Sequence, residues 1–499
     1  MHRKQVRPVP PRCKINVGER KAGKPSKWLN GKCKRHQTTK KEGIPVQTMI
    51  ENMLEKFKGE IEEFFSQSET SIEQAEDYFV PRVSQVVTEL MSAYYEQVDH
   101  ALLNDRQGRR EAGLLVERKG DPRKVLTRLG NVTFRRTYYR RKDGTYCHPV
   151  DEIAGIAAYE RVSGGVSLAL VEAARELSYA KSSQVVTDGA VSRQTVLNKV
   201  RQSKARKETV ARRQVPVIHV DADEDHVRLQ TGGSTIAPLI SGYEGIAKQG
   251  KRGICKNIFH ISEYGKKPDE LWEEFLAELE RRYDLEGTRI YLHGDGAPWI
   301  RKGLEWLPNS TFVLDRYHVN KALKAAVAGI ERKSGAQYKH LLRKALEEGD
   351  QDFFLSIRDS LLLRWPEHEE TIRKNTDYLF QHFDAIHLWY VDPEAACGGA
   401  TEPHVSHILS ARLSTRPMAW SKETLTKLLP ILAAGSPAIE TRPREPEDVV
   451  RAAVETAGST RQKIRYTLGS PDPQRIDRLP AMSGKVTPLF NALRPFVHT

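Results

Sequence analysis

The sequence contains no long apolar run and is poor in cysteine. No stretch of about 18 consecutive apolar residues occurs in its 499 residues, so a membrane-spanning helix is not expected. The basic N-terminus has no apolar segment of the kind found in secretory signals. The five cysteines lie far apart and form no CxxC pair, which favours a reducing compartment over a disulfide framework. We therefore expect a cytoplasmic protein with no membrane partner.

The net charge of +14 is distributed unevenly along the chain. Residues 1–43 carry +12, residues 44–104 carry −9, residues 105–213 carry +12 and residues 214–499 carry −1. Basic blocks recruit polyanions, and nucleic acid is the commonest of these. For the first block the alternative is a solubilising tail, because its Pro- and Gly-containing sequence predicts disorder.

Two regions near the N-terminus have recognisable periodicity. Residues 44–104 have apolar residues at helical spacing, which predicts an acidic pair of helices for packing or self-association. Residues 105–160 predict a basic β-hairpin, since alternation surrounds turn signals at residues 130–131 and 143–144. Arginines interleaved with aromatic residues could contact a phosphate backbone there, although a plain exposed ribbon is the alternative: Arg135, Arg136, Arg140 and Arg141.

Residues 161–213 predict a helix-turn-helix followed by a basic linker. Three helical segments are present, with Gly189 in the turn before the third and Ser192 as that helix's N-cap. Such three-helix pieces also occur without DNA, but the basic residues that follow favour a DNA-binding role. The residues expected to contact DNA lie on the third helix: Arg193, Gln194, Asn198, Lys199 and Arg201.

From residue 214 onward, strands alternate with helices. Three strands followed by helix–strand–helix–strand is the order of an α/β ribonuclease-H-like fold, in which helices flank a mixed sheet. We therefore predict a catalytic domain of this class over residues 214–430. Its first two expected strands, VPVIHVDAD and HVRLQ, are separated by Glu224 and Asp225, which we expect to be solvated turn residues.

Acidic residues follow two of these strands. Two divalent cations about 4 Å apart can bind the attacking and leaving oxygens of a phosphoryl displacement, and Mg²⁺ or Mn²⁺ requires oxygen ligands. Asp223 and Asp295 are the expected ligands, with Asp221 as the alternative to Asp223 because the two share a strand face. The third ligand expected is Glu402, in the first turn of a helix that Thr401 can cap.

The chain between the last two acids is too long for a simple connection. From Asp295 to Glu402 the numbering advances by 107 positions, and most of them read as helical, which predicts an all-helical insertion over about residues 316–392. Asp315 and His318 stand at its beginning. Residues 431–499 are rich in Pro and Arg and predict a flexible C-terminal tail.

These segments, in this order, resemble bacterial insertion-sequence transposases of the ISLre group, DDE enzymes related to Mutator-like elements. The resemblance covers roughly residues 50–425, leaving residues 1–43 and 436–499 without a counterpart. It is carried by six segments: LGNVTFRRTYY, ELSYAKSSQVV…VSRQTVLNKVR, DADEDHV, HGDGAPWI, LDRYHVNK and EPHVSHILSARLSTRPMAWS.

The resemblance implies a DNA transposase whose DDE triad is Asp223, Asp295 and Glu402, holding two Mg²⁺ or Mn²⁺ ions. Asp315 and His318 match the family's Cys-or-Asp, two residues, His signature, which is thought to help bind DNA or position the site. Double-stranded DNA, both element ends and target, is then the partner of a nucleoid-associated homo-oligomer. Two alternatives remain: a structure-selective nuclease of the same fold, and a domesticated DNA-binding regulator with a silent catalytic site.

Overall fold

A computed structural model describes residues 46–66, 70–250 and 252–439. The basic tail 1–43 and the last part of the predicted C-terminal tail lie outside the described residues. The chain divides into two compact units, and the boundary between Arg161 and Val162 is one residue beyond the boundary predicted from the sequence. Within the described ranges, no helix is both long enough and apolar enough to cross a bilayer.

The first unit combines helices with a three-stranded antiparallel sheet of order β1-β2-β3. Its helices are α1 (Val46–Ser66), α2 (Ile72–Asn104), α3 (Arg106–Glu111) and α4 (Pro149–Ile153). Its strands are β1 (Leu115–Thr127), β2 (Gly130–Arg140) and β3 (Tyr146–Cys147). Helix α2 begins with a capping box in which Ser71 and Gln74 bond reciprocally, so its start is specified locally.

Helix α2 covers the open edge of strand β2. The backbone N–H groups of three alternate β2 residues donate to α2 side chains: Thr133 to Ser92 (3.2 Å), Arg135 to Glu96 (2.8 Å) and Thr137 to Asp99 (2.7 Å). An uncovered edge strand exposes unpaired N–H groups to other chains. Side chains spaced along one helix face therefore replace a neighbouring strand.

The hairpin arginines divide into buried and exposed groups. Arg136 is buried and forms an ion pair with Asp151, and the ring of Tyr139 is fully buried. These side chains support the unit's interior and are not presented to a partner. Arg141 is half-buried and forms an ion pair with Glu152, whereas Arg135 and Arg140 are exposed and stay candidates for the predicted phosphate contact.

The second unit begins with three short helices. These are α5 (Gly164–Glu176), α6 (Tyr179–Thr187) and α7 (Arg193–Gln202). Each begins at a serine whose hydroxyl accepts a backbone N–H of the first turn, as predicted for Ser192. The chain reverses between α6 and α7 through Asp188 and Gly189, both of which have positive φ.

A five-stranded mixed sheet forms the centre of the second unit, with strand order β10-β7-β6-β12-β13. Its strands are β6 (Val217–Arg228), β7 (Ser234–Tyr243), β10 (Phe259–Ile261), β12 (Arg289–Gly294) and β13 (Ser310–Leu314). Short peripheral strands accompany them: β4 (Ser203–Ala205), β5 (Arg213–Gln214), β8 (Ile246–Gln249), β9 (Arg252–Cys255) and β11 (Tyr283–Asp284). Strands β10, β7 and β6 are antiparallel neighbours, whereas β12 and β13 run parallel to β6.

The acidic stretch lies inside a strand and not in a turn. Strand β6 continues through Glu224 and Asp225, which pair with Pro238 and Ala237 of β7, so the predicted turn at these acids is wrong. The HVRLQ segment continues the same strand, and the chain turns only at residues 230–233, where both glycines have positive φ. The strand β7 that follows is absent from the sequence prediction.

The two faces of the central sheet differ in polarity. Ile218, Val220 and Ala222 point into the main hydrophobic core, where they meet α8 (Pro268–Arg282) through Trp272. Because alternate strand residues point to opposite faces, the intervening positions, including the two candidate aspartates, line the other face. The alternating sequence VIHVDAD therefore divides one strand between a core and a site.

Helices follow β12 and β13. Two short helices, α9 (Pro298–Arg301) and α10 (Gly303–Trp306), connect the strands. The helical segment predicted over residues 316–392 comprises α11 (Arg316–Ala325), α12 (Arg332–Glu348), α13 (Gln351–Arg364), α14 (Glu369–Gln381) and α15 (Phe383–Val391). It has no core of its own, since its buried apolar residues join the core beneath the sheet.

The last described elements return to the beginning of the unit. They are α16 (Thr401–Val405), a π-helical turn (Ser406–Ser410), α17 (Ala411–Leu413), α18 (Lys422–Ala434) and β14 (Pro437–Ile439). Strand β14 pairs with β4, directly after α7. The predicted flexible tail from residue 431 is thus wrong for its first nine residues, which complete a helix and a strand.

Candidate functional site

Parallel pairing aligns three aspartates at one edge of the sheet. His293 of β12 lies opposite Asp221 of β6, so Asp295, two residues further on, follows at the level of Asp223. Strand β13 pairs in parallel with β12, with Leu314 opposite Gly294, and the N–H of Asp315 donates to the carbonyl of Gly294 at 2.9 Å. Parallel strands end at the same edge of a sheet. Asp223 lies within β6 at this edge, and Asp295 and Asp315 directly follow β12 and β13.

Asp223 is buried beside other charges. Burial, together with the smaller effects of the Asp295 and Glu224 carboxylates, raises the pKa of its carboxyl group to about 6. The N–H of Glu224, which donates at 2.8 Å, and the charge of His318 oppose this rise. Two carboxylates that share a site cannot both ionise freely. This edge of the sheet therefore concentrates negative charge around a buried carboxyl group.

The backbone around Asp295 is fixed by the helical insertion. The hydroxyl of Tyr378 in α14 donates to the carbonyl of Asp295 at 2.7 Å, while the side chain of Asp295 accepts the N–H of Ala297 at 2.8 Å. Gly296 has a φ of +88°, and a Cβ there would lie 2.7 Å from the ring of His382. Glycine is needed at that position for both reasons.

Asp315 and His318 form a unit next to the two acids. The buried carboxylate of Asp315 caps α11 by accepting the N–H groups of Tyr317 and His318, at 3.1 and 3.4 Å. It also lies 3.2 Å from Nδ1 of the His318 ring. Burial opposes protonation of His318, but Asp315, Asp223 and Asp295 outweigh burial and raise its pKa. The structure thus brings both predicted signature residues to Asp223 and Asp295.

Asp221, the alternative first ligand, is enclosed by protein groups. Its buried carboxylate accepts the hydroxyl of Tyr243 at 3.1 Å and the N–H of Ala400 at 2.9 Å, and Nδ1 of His404 lies 3.4 Å away. Burial would raise its pKa, but His404, His293 and Tyr243 outweigh burial and lower it. Asp221 therefore attaches the start of α16 to β6, whereas Asp223 interacts with the other acids.

Glu402 is carried by the helix that Asp221 holds. Ala400, and not Thr401 as predicted, stands at the N-cap, and the hydroxyl of Thr401 is buried without a hydrogen-bond partner among the described residues. Glu402 is half-buried, and no hydrogen bond or ion pair of the described chain joins it to Asp223 or Asp295. Nor do the described ranges contain three His, Cys, Asp or Glu side chains already grouped as metal ligands.

A layer of histidines behind these acids is absent from the sequence prediction. Nδ1 of His219 lies 3.1 Å from Nε2 of His293, and burial lowers the pKa of His219 to about 4, so its ring is neutral at pH 7. A Cβ at Gly398 would collide with both rings. The available signal is the alternation that places His219 on the face of Asp221, together with the Gly398-Gly399 pair before Glu402.

The predicted DNA-contacting residues of α7 separate into two groups. Arg193, Gln194 and Asn198 are exposed. Lys199 is buried, and Arg201 bonds to Ser421 and forms an ion pair with Glu423 at the start of α18: these two hold α7 in place instead of extending the exposed face.

Comparisons with known proteins give a consistent result. The sequence model of an uncharacterised protein family (UPF0236) matches residues 66–448. Two UPF0236 proteins of Caldanaerobacter subterraneus subsp. tengcongensis are 34% and 33% identical over 418 residues, which is 81% of this chain and 87% and 88% of theirs. A UPF0236 protein of Streptococcus gallolyticus, named for the vanSb 3′ region, is 23% identical over 340 residues, 63% of this chain and 72% of its own.

The attachment of α16 can be tested by replacing Asp221 with alanine. The change leaves the N–H of Ala400 and the hydroxyl of Tyr243 without their acceptor, so the free energy of unfolding should fall by about 3 kcal/mol. Asp225→Ala on the same strand is the control, because among the described residues that half-buried acid accepts one hydrogen bond, from the Ser414 hydroxyl, and its loss should cost less than about 1 kcal/mol. Urea unfolding measures both, and equal losses would contradict the assignment.

The environment of Asp223 predicts a pH-dependent gain in stability for Asp223→Asn. Asp223 ionises near pH 3.8 in the unfolded chain but near pH 6 in the fold, so its contribution to stability falls as pH rises between these values. With chelator present, Asp223→Asn should raise the free energy of unfolding at pH 7 by about 1–3 kcal/mol, with little change at pH 4. Denaturant unfolding at the two pH values tests this, and a loss of stability at pH 7 would contradict it.

Proposed function

The chain belongs to the uncharacterised protein family UPF0236, and on this premise we propose that it is a DNA transposase. It would bind the terminal inverted repeats of an insertion sequence and catalyse metal-dependent strand cleavage and strand transfer. The observation that carries the proposal is the register of the parallel strands β6 and β12, which sets Asp223 of β6 at the same edge as Asp295, the residue directly after β12. This is the relation expected of the first two acids of a DDE triad.

The proposed fold class is ribonuclease-H-like. Three antiparallel strands, β10, β7 and β6, are followed by two strands parallel to β6, with helix α8 between the two groups. This order supports the proposal, as do the acids at the ends of the parallel strands. The helical segment between β13 and Glu402 is the proposed insertion of the catalytic domain.

The site's donor set fits Mg²⁺ or Mn²⁺. The buried carboxylate of Asp223 and the half-buried carboxylate of Asp295 repel each other, and carboxylate oxygens are the ligands these hard cations prefer. Asp223, Asp295 and Glu402 are the residues that would hold two such ions, with Glu402 brought to β6 by the Asp221 attachment. When bound, two ions would stabilise the attacking and leaving oxygens of a phosphodiester displacement.

The remaining residues of the site would position DNA. Asp315 accepts from Nδ1 of His318, which leaves Nε2 of that ring to donate to a phosphate oxygen. The acids that raise the pKa of His318 favour its charged form, so the ring adds positive charge to an otherwise acidic edge. This gives the Asp-x-x-His pair a physical reason to stand beside Asp223 and Asp295.

The helix-turn-helix would recognise the element ends. Arg193, Gln194 and Asn198 form an exposed polar face on α7, and Arg and Asn are the side chains that read guanine and adenine in the major groove. Segment 105–213 carries a net charge of +12, which suits a DNA partner. Action on chromosomal DNA places the protein with the nucleoid in the cytoplasm, and pairing of two element ends favours a homo-oligomer on DNA.

The relatives' names agree with a mobile gene. The name of one relative from Caldanaerobacter subterraneus joins eleven loci, and that of another joins four. A gene that copies itself within a genome produces this pattern. It supports an insertion-sequence origin for the family, and through the family for this chain.

Asp295→Asn tests the proposed chemistry. The wild-type protein, incubated with Mg²⁺ and a DNA fragment carrying the gene's own flanks, should nick or join the element ends. Asp295→Asn should remove this activity and keep DNA binding, because the amide cannot supply the charge of a carboxylate ligand. Asp359→Asn, an exposed acid of the insertion, is the matched control and should retain activity.

The outcomes separate the alternatives. Cleavage by Asp295→Asn would reject the assignment of Asp295. Cutting of branched DNA without end joining would favour a structure-selective nuclease, and end-specific binding without any cleavage would favour a domesticated regulator.

Replacing residues of α7 tests end recognition. Arg193→Ala and Asn198→Ala should each weaken binding to the element end by about 1–3 kcal/mol for a true base contact, while binding to random DNA changes less. Gel-shift titrations on both DNAs measure the ratio. An unchanged ratio would reject α7 as the recognition helix.

A further inference from the structure

A groove opens in the helical insertion, close to the acidic edge of the sheet. It has a volume of about 290 Å³, just under the roughly 300–1,000 Å³ typical of ligand pockets, so it suits one small ligand. One face of α11 lines one side, and residues of α12 and α15 complete it. Arg316 stands at the start of this face, directly after Asp315, so the groove begins one residue from the aspartates described above.

The floor and one wall of the groove are apolar and aromatic. Val319 and Leu323 of α11 and Leu346 of α12 are buried beneath it. Trp389 and Tyr390 come from the last turn of α15, and Tyr390 keeps 41% of its surface exposed. An exposed aromatic ring beside an apolar floor suits the face of a planar ring more than it suits a flexible polar chain.

The rim of the groove carries two oriented cations. Arg316 donates to the carbonyl of Ala396 at 3.0 Å and lies 5.3 Å from the ring of Trp389. Arg343 donates to the side-chain oxygen of Asn320 at 2.5 Å. The partners in these contacts are neutral groups, so they orient both guanidinium groups without neutralising their positive charge.

Neither arginine has a carboxylate partner. Among the ion pairs of the described residues, none involves Arg316 or Arg343. Burial, together with the charge of Glu347 on α12, raises the pKa of Tyr390, so this acid also lies near the groove. Arg316 and Arg343 are the charged residues among those that line the groove, so the lining itself carries two positive charges.

We propose that this groove binds one unpaired nucleotide of a DNA strand, with the base against Tyr390 and the apolar floor and its phosphate between Arg316 and Arg343. Aromatic stacking with flanking positive charge is the general chemistry by which proteins hold single-stranded nucleic acid. The choice of DNA rests on the proposed function. An unpaired nucleotide held here lies next to the edge where a strand would be cut, so the groove would position strand ends.

The test compares two DNAs and needs no metal ion. The full chain is titrated in chelator with a random-sequence duplex and with the same duplex bearing a short single-stranded 3′ extension. The extension should raise affinity about tenfold, which is about 1.4 kcal/mol and within the range for base stacking on an aromatic side chain. Tyr390→Ala and Arg343→Ala should remove this gain.

Two matched variants serve as controls. Tyr390→Phe keeps the ring, and Lys344→Ala removes the exposed neighbouring charge of α12, so both should keep the gain. Arg343 is exposed, so Arg343→Glu should leave the protein folded. This variant should bind the plain duplex more tightly than the duplex with the extension.

The binding measurements can contradict the proposed nucleotide site in separate ways. Equal affinity of the wild type for the two DNAs, or a gain that survives Tyr390→Ala, would overturn it. A larger gain from an RNA extension than from a DNA extension would overturn the choice of DNA. If the wild-type protein does not cleave element ends but still binds the extended duplex more tightly, the transposase proposal is rejected and the proposed nucleotide site in the groove is retained.

Discussion

Strands β6 and β12 pair in parallel, and this register sets the buried carboxylate of Asp223 near the half-buried carboxylate of Asp295. Backbone pairing up to Asp221 and His293 brings Asp223 and Asp295, each two residues further on, to the same edge of the sheet. The cost appears in the raised pKa of Asp223, since burial and neighbouring charge both oppose its ionisation. A fold that keeps such a pair gives up stability at neutral pH, as functional sites commonly do. The surrounding structure can be understood as what holds, and partly offsets, this concentration of charge.

Three other parts of the second unit serve the same edge. The insertion fixes the backbone of Asp295 through Tyr378, and it begins with the Asp315–His318 pair that adds positive charge. Asp221 uses its carboxylate to attach the helix of Glu402. Neighbouring acids on one strand thus have separate tasks, one structural and one facing the charge cluster, although they share a strand face.

Local pattern predicted the parts of the chain whose structure depends on local chemistry. Three such signals come from residues that are close together in the sequence: the N-cap at Ser192, the apolar alternation before Asp223 and the helical periodicity after His318. The corresponding elements are present. Strand β7 was not predicted, because its Ser, Pro and Gly residues follow no simple pattern and its position depends on pairing with β6. The burial of Lys199 and the separate environments of Asp221 and Asp223 depend on tertiary neighbours far away in sequence.

If the proposed chemistry is correct, the edge formed by Asp223 and Asp295 binds divalent cations. Anomalous diffraction from crystals grown with Mn²⁺ tests it directly, because the signal locates the ion independently of any activity. We expect a peak between the Asp223 and Asp295 carboxylates, with Glu402 among the ligands and no peak in Asp295→Asn crystals. A peak confined to other residues, or none at saturating Mn²⁺, would contradict it.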